Sequence, residues 1–94
     1  MKIMISQPMN GKTKKDIETD RANIVKQLEE EGHEVLNTII DIDEEKDPLY
    51  YLGQCISIMA NADAVVFIGD WRHARGCLIE YEAALAYKKY IKIL

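Results

Sequence analysis

Ala64-Val65-Val66-Phe67-Ile68 is an unbroken run of five apolar residues. Its β-branched content and short length suit a strand, and the absence of alternation means that both of its faces are buried. Such a strand needs a parallel sheet with helices on either side. The rest of the chain supplies those parts in order. Ile3-Met4-Ile5 reads as a first buried strand. Lys14 to Glu31 reads as a long helix with Ile17, Ile24, Val25 and Leu28 on one stripe, with Thr13 as N-cap, Asp16 completing a capping box, and Gly32 as the stop. His33 to Asn37 reads as a second strand. Residues 37–48 form a polar, acidic connection. A second helix runs from Asp47 or Pro48 to about Asn61, with Tyr51, Leu52, Cys55, Ile56 and Met59 on its buried face. A loop covers Gly69 to Gly76, a third helix Cys77 to Lys88, and a last strand Ile91 to Leu94.

The order β-α-β-α-β-α-β, with right-handed crossovers, predicts an α/β fold: a three-layer Rossmann/flavodoxin-like sandwich with a four-stranded parallel sheet in order 2-1-3-4. The 94 residues allow one domain, 1–94, so a site between two domains of this chain is excluded. A deep pocket in so short a chain draws part of its wall from a second copy, and a homodimer or larger oligomer is the expected state. With 12 basic and 16 acidic side chains the net charge is −4, which is the wrong balance for a nucleic-acid polymer. No apolar run approaches the ~18 residues of a membrane span. Cys55 and Cys77 form neither a disulfide framework nor a metal motif, so the chain is expected to be cytoplasmic, with no metal and no cofactor.

Open parallel sheets bind ligands at the carboxyl ends of their strands, where the strand order reverses. In this topology that point lies between the first and third strands, where the loops Ser6 to Lys12 and Gly69 to Gly76 meet. Gly11-Lys12-Thr13 is no P-loop, because the glycine required five positions earlier is Ser6. Backbone N–H groups before a helix still suit an anion; a capped helix with a solvated Lys12 is the plainer reading. In the second loop, Asp70 follows directly on a buried strand and Glu80 lies about one turn into the next helix. Two carboxylates facing one pocket are the equipment for cleaving a glycosidic bond, while ordinary acids near a helix N-terminus account for the same residues. Trp71 suits stacking on a ring, or a partly buried anchor. Arg72 and Arg75 suit phosphate, or surface charge. His73 suits acid–base work, or a solvated loop. Cys55 reads as core, and Cys77 lacks a base for nucleophilic chemistry.

Four segments in order carry a resemblance: Lys2-Ile3-Met4-Ile5-Ser6-Gln7-Pro8; Leu28 to Val35; Asn61-Ala62-Asp63-Ala64-Val65-Val66; and Gly76-x-x-x-Glu80 with Ala84 and Ala86. Together they resemble the nucleoside 2-deoxyribosyltransferase superfamily, most closely its short branch of unknown function found in bacteria and phages. The resemblance spans nearly the whole chain. It implies a nucleoside or nucleotide as small-molecule partner, and cleavage of its N-glycosidic bond by hydrolysis or deoxyribosyl transfer. It implies Glu80 as the nucleophile on C1′ and Asp70 as a carboxylate near the base. Ser6, Gln7, Pro8, Met9 and Gly11 would line the sugar side, with Trp71 and Gly76 completing the substrate-binding set. A non-catalytic nucleotide-binding module and an oligomeric accessory protein are the alternatives. Cys55 stands where the full-length transferases carry an acidic residue on the second helix, and Gln7 replaces their usual aromatic or glycine.

Overall fold

The computed structural model describes residues 1–40 and 45–94. Of the acidic connection read from the sequence, residues 41–44 lie outside the described residues. The elements follow as β1 (Lys2–Ser6), α1 (Lys14–Glu30), β2 (Glu34–Val35), α2 (Pro48–Met59), β3 (Ala64–Phe67), α3 (Arg75–Ala86) and β4 (Tyr90–Ile93), with a 3-10 turn at Trp71–His73. The four strands form one parallel sheet in the order β2-β1-β3-β4. This is the predicted α/β arrangement.

The central ladder pairs Ile3 with Ala64, Met4 with Val65, Ile5 with Val66 and Ser6 with Phe67. Successive side chains on a strand point to opposite faces, so this register sorts the core into two halves. Ile3, Ile5, Ala64, Val66 and Ile68 pack with Leu28, Ile24 and Val25 of α1. Met4, Val65 and Phe67 pack with Cys55 and Met59 of α2 and Cys77 and Ala84 of α3. The sheet is therefore the middle of three layers. Ser6 falls on the α2/α3 side by the same alternation, one residue past the last apolar position of β1.

α1 begins as its sequence dictates. The Thr13 side chain accepts from the Asp16 N–H at 3.1 Å, and the Asp16 carboxylate accepts from the Thr13 N–H at 3.1 Å. Gly32, at φ +89°, turns the chain after the helix into β2, a conformation that glycine adopts without steric cost. Asp47 caps α2 through Leu49 N–H at 2.8 Å, with Pro48 in the first turn, where its missing N–H costs nothing.

Element ends differ from the expectations in two places that matter. β2 is only two residues long, since Leu36 N–H makes its last bond to β1, at Ile3 O. α3 starts at Arg75, two residues earlier than expected, because Trp71–His73 is already a helical turn and leaves Ala74 as the lone connector. α3 accordingly also ends earlier, at Ala86, and Lys88 at φ 57° reverses the chain into β4.

The capping box is the most local of these determinants. Thr13→Ala removes one side of it and is expected to destabilise the fold by about 1 kcal/mol, read as a lower urea midpoint at unchanged m-value. An unchanged midpoint would show that α1 is fixed by packing alone.

Candidate active site at the carboxyl edge

β1 and β3 end side by side, and the chain continues from each into a loop on the same edge of the sheet. Ile68 N–H bonds Ser6 O at 3.0 Å, which carries the ladder one step beyond the strands. Pro8 packs against Gly69, and the space beside the Gly69 Cα is limited by the Pro8 ring, 3.5 Å from where a Cβ would sit. The two loops singled out from the sequence therefore meet, at the place where strand order reverses.

At this edge the Ser6 hydroxyl donates to Glu80 Oε1 at 2.7 Å. The two residues are 74 apart in sequence and are brought together by the β1–β3 ladder and the return of α3 over its face. Ser6 is 1% and Glu80 6% exposed. Burial pushes the Glu80 carboxyl from 4.5 up to about 7, while the Ser6 hydrogen bond and the positive charge of Arg21 pull it back. A carboxyl with that value is close to half-ionised at neutral pH, a property suited to acid–base or nucleophilic work.

The same burial keeps the neighbouring thiols protonated. Cys55 is raised to about 12, by desolvation first and then by Glu80. Cys77 is raised to about 11 by desolvation, with Ser6 opposing. Neither is a thiolate near neutral pH, in keeping with Cys55 read as core and Cys77 read as no nucleophile.

A second set of contacts adjoins the first, and of its members only Gln7 stood among the residues expected from the sequence. Gln7, the next residue along from Ser6, is 4% exposed and points to the α1 side. Its amide nitrogen donates to Ile17 O at 3.2 Å, and its amide oxygen accepts from Arg21 Nε. Arg21 Nη2 donates to Thr38 Oγ1 at 2.9 Å, and Arg21 is 5% exposed. The signal for Arg21 was present but unread: it lies four residues after Ile17 and seven before Leu28, on the apolar stripe of α1, where a charged side chain needs a partner inside.

The remaining candidates sit elsewhere. Asp70 is three-quarters exposed and is bonded to the His73 ring Nδ1 at 2.6 Å, so its carboxylate is turned to solvent while Glu80 is enclosed. Trp71 is buried among Phe67, at 4.9 Å between ring centroids, and Tyr81, at 5.1 Å and nearly parallel, with Arg72 over its ring. It is an anchor of the core; its indole N–H has no partner among the described residues. Met9 O accepts from Lys12 N–H in the turn that Gly11 closes at φ +76°. Lys12 is held by Asp20 at 2.7 Å, as a surface pair. Gly76 lies in the first turn of α3 beside Leu52 of α2, which is 3.9 Å from where its Cβ would be. Two surface grooves run along α1, both touching Arg21 and neither lined by Glu80. Among the described residues no group of three or more His, Cys, Asp or Glu is placed to hold a metal ion, and no helix is long and apolar enough to cross a membrane.

The class defined by these features is a parallel α/β domain with a buried hydroxyl–carboxyl pair at its switch point. The family profile of DUF4406, a domain of unknown function, matches residues 1–93, and the chain belongs to that family. Comparison with curated proteins finds no match.

The raised Glu80 value has a thermodynamic counterpart. Between 4.5 and about 7 the folded state holds a proton that the unfolded state has released, so rising pH favours unfolding across that window. The full effect is about 3 kcal/mol at 1.36 kcal/mol per unit. The protein is therefore expected to be more stable to urea at pH 5 than at pH 8, and Glu80→Gln to flatten that slope and raise stability at pH 8. An equal pH slope in wild type and Glu80→Gln would contradict this.

Proposed function

We propose that this protein breaks the N-glycosidic bond of a nucleoside or nucleotide, with Glu80 as the nucleophile. The observation that carries the reading is the Ser6–Glu80 pair: a buried carboxyl raised to about 7, at the carboxyl edge where an open parallel sheet takes its ligands. The resemblance of the four ordered segments to nucleoside 2-deoxyribosyltransferases supports the choice of substrate class. In this mechanism the ionised Glu80 attacks C1′ of the sugar. The C1′–N bond breaks, its electron pair leaves with the base, and the base takes up a proton. The resulting glycosyl ester is resolved by water, giving hydrolysis, or by a second base, giving transfer. The Ser6 hydroxyl stabilises the carboxylate before attack. Asp70 and its partner His73 are exposed, and in this reading they meet the leaving base from the solvent side.

A second reading is a nucleotide-binding module without turnover. It is favoured by Cys55, a protonated thiol raised to about 12 where the resembling transferases carry an acid, and by the enclosure of Glu80. We propose further that the chain works as a homodimer. Leu78, Ile79 and Leu85 of α3 and Tyr90 of β4 are exposed, and a second copy would cover them. Light scattering showing only a 10.8 kDa species would contradict the dimer.

Incubation with a panel of deoxynucleosides and their monophosphates is expected to release free base. The rate should rise with pH through about 7, the value of Glu80. Glu80→Ala is expected to lower the rate by several orders of magnitude, as loss of a nucleophile does. Equal inertness of wild type and Glu80→Ala across the panel would remove the enzyme reading. A nucleotide that raises the melting temperature without being consumed would then establish the binding module.

A further inference from the structure

Arg21 is a buried cation, and among the described residues no carboxylate lies within ion-pair distance of it. Its two hydrogen-bond partners, Gln7 and Thr38, are both neutral. A guanidinium stays ionised in a protein, and an ionised group with only neutral partners is costly to bury. Two carboxylates bear on the guanidinium, Glu80 and, within α1, Glu18, and the enclosed one, Glu80, is linked to it through residues adjacent along the chain. Ser6 and Gln7 are consecutive, with Ser6 turned to α3 and Gln7 to α1. Ser6 holds Glu80 and Gln7 holds Arg21. Two opposite charges, each almost wholly enclosed, are thus fixed on either side of one strand end.

We infer that Arg21 is a positioning residue for Glu80, the internal counter-charge that lets the enclosed carboxyl ionise. Gln7 and Thr38 hold the guanidinium in place, so its field at Glu80 is constant. The other groups that bear on Glu80 are Ser6 of β1, Cys55 of α2 and Cys77 of α3; both thiols are neutral near pH 7. Arg21 is then the only cation acting on the pair from the described elements packed around it. The direction of the electrostatics agrees: burial lowers the Arg21 value while Cys55, Glu80 and Glu18 oppose that, and Arg21 in turn pulls the raised Glu80 value back. The role rests on the reading of Glu80 as a nucleophile, since only an ionised carboxylate attacks C1′.

The test is a carbon-13 NMR titration of the Glu80 carboxyl, assigned with Glu80→Gln, in wild type, Arg21→Met and Arg21→Lys. In Arg21→Met the Glu80 midpoint is expected to rise by about one pH unit, the effect of removing one nearby opposite charge. In Arg21→Lys, which keeps the charge, most of that rise is expected to disappear. Arg21→Gln, which keeps hydrogen-bonding capacity toward Gln7 and Thr38, serves if Arg21→Met does not fold. An unchanged midpoint in the neutral variants, or equal rises in Arg21→Met and Arg21→Lys, would overturn the assignment. No substrate enters the titration. Its failure with base release intact refutes Arg21 alone, and its success without base release refutes the nucleophile reading alone.

Discussion

The pairing of β1 with β3 is the constraint on which the molecule depends. Its four residue pairs, from Ile3–Ala64 to Ser6–Phe67, are buried on both sides. A strand with two buried faces must place one helical layer above and one below, and the alternation of side chains decides which residues serve which layer. The ladder also sets where chemistry can occur. Apolar side chains fill it until Ile5, and Ser6 is the first polar one on its α3 side. β3 ends opposite Ser6 and feeds a helical turn that brings α3 back across the same edge. Glu80 reaches Ser6 because of that geometry, and no local preference of either residue would have done it.

Enclosure gives the carboxyl its character and its cost. Glu80 among Ser6, Cys55 and Cys77 loses water that a surface glutamate keeps, so its charged form is disfavoured and its value rises to about 7. That cost falls on the fold at pH above that value, where the enclosed carboxyl is ionised. The hydroxyl of Ser6 and the charge of Arg21 limit the rise. Without them burial would push the carboxyl further up still.

Much of the fold was legible because its determinants are short in range. The apolar run Ala64 to Ile68, the Thr13–Asp16 box, Gly32 and Asp47-Pro48 act within a few residues, and all of them do what their sequence implies. The α3 boundary was not legible, because the 3-10 turn at Trp71–His73 is held by packing of Trp71 on Phe67 and Tyr81. The candidate site was legible in part. Ser6 and Glu80 were both named, but their direct contact spans 74 residues and follows only from strand order. Arg21 and Thr38 were missed, since the apolar stripe of α1 is complete without Arg21 and Thr38 lies in the polar connection after β2. Asp70 and Trp71 were placed by chain position alone, and their side chains turned to solvent and to the core respectively.

The central claim is that Glu80 forms a covalent bond to the sugar carbon during turnover. It is tested most directly by acid-quenching the protein during reaction with a deoxynucleoside or its monophosphate, followed by peptide mass mapping. The account predicts a deoxyribosyl adduct on the peptide containing Glu80, absent from Glu80→Gln. Base release with no adduct on that peptide, or with an adduct on another residue, would contradict it.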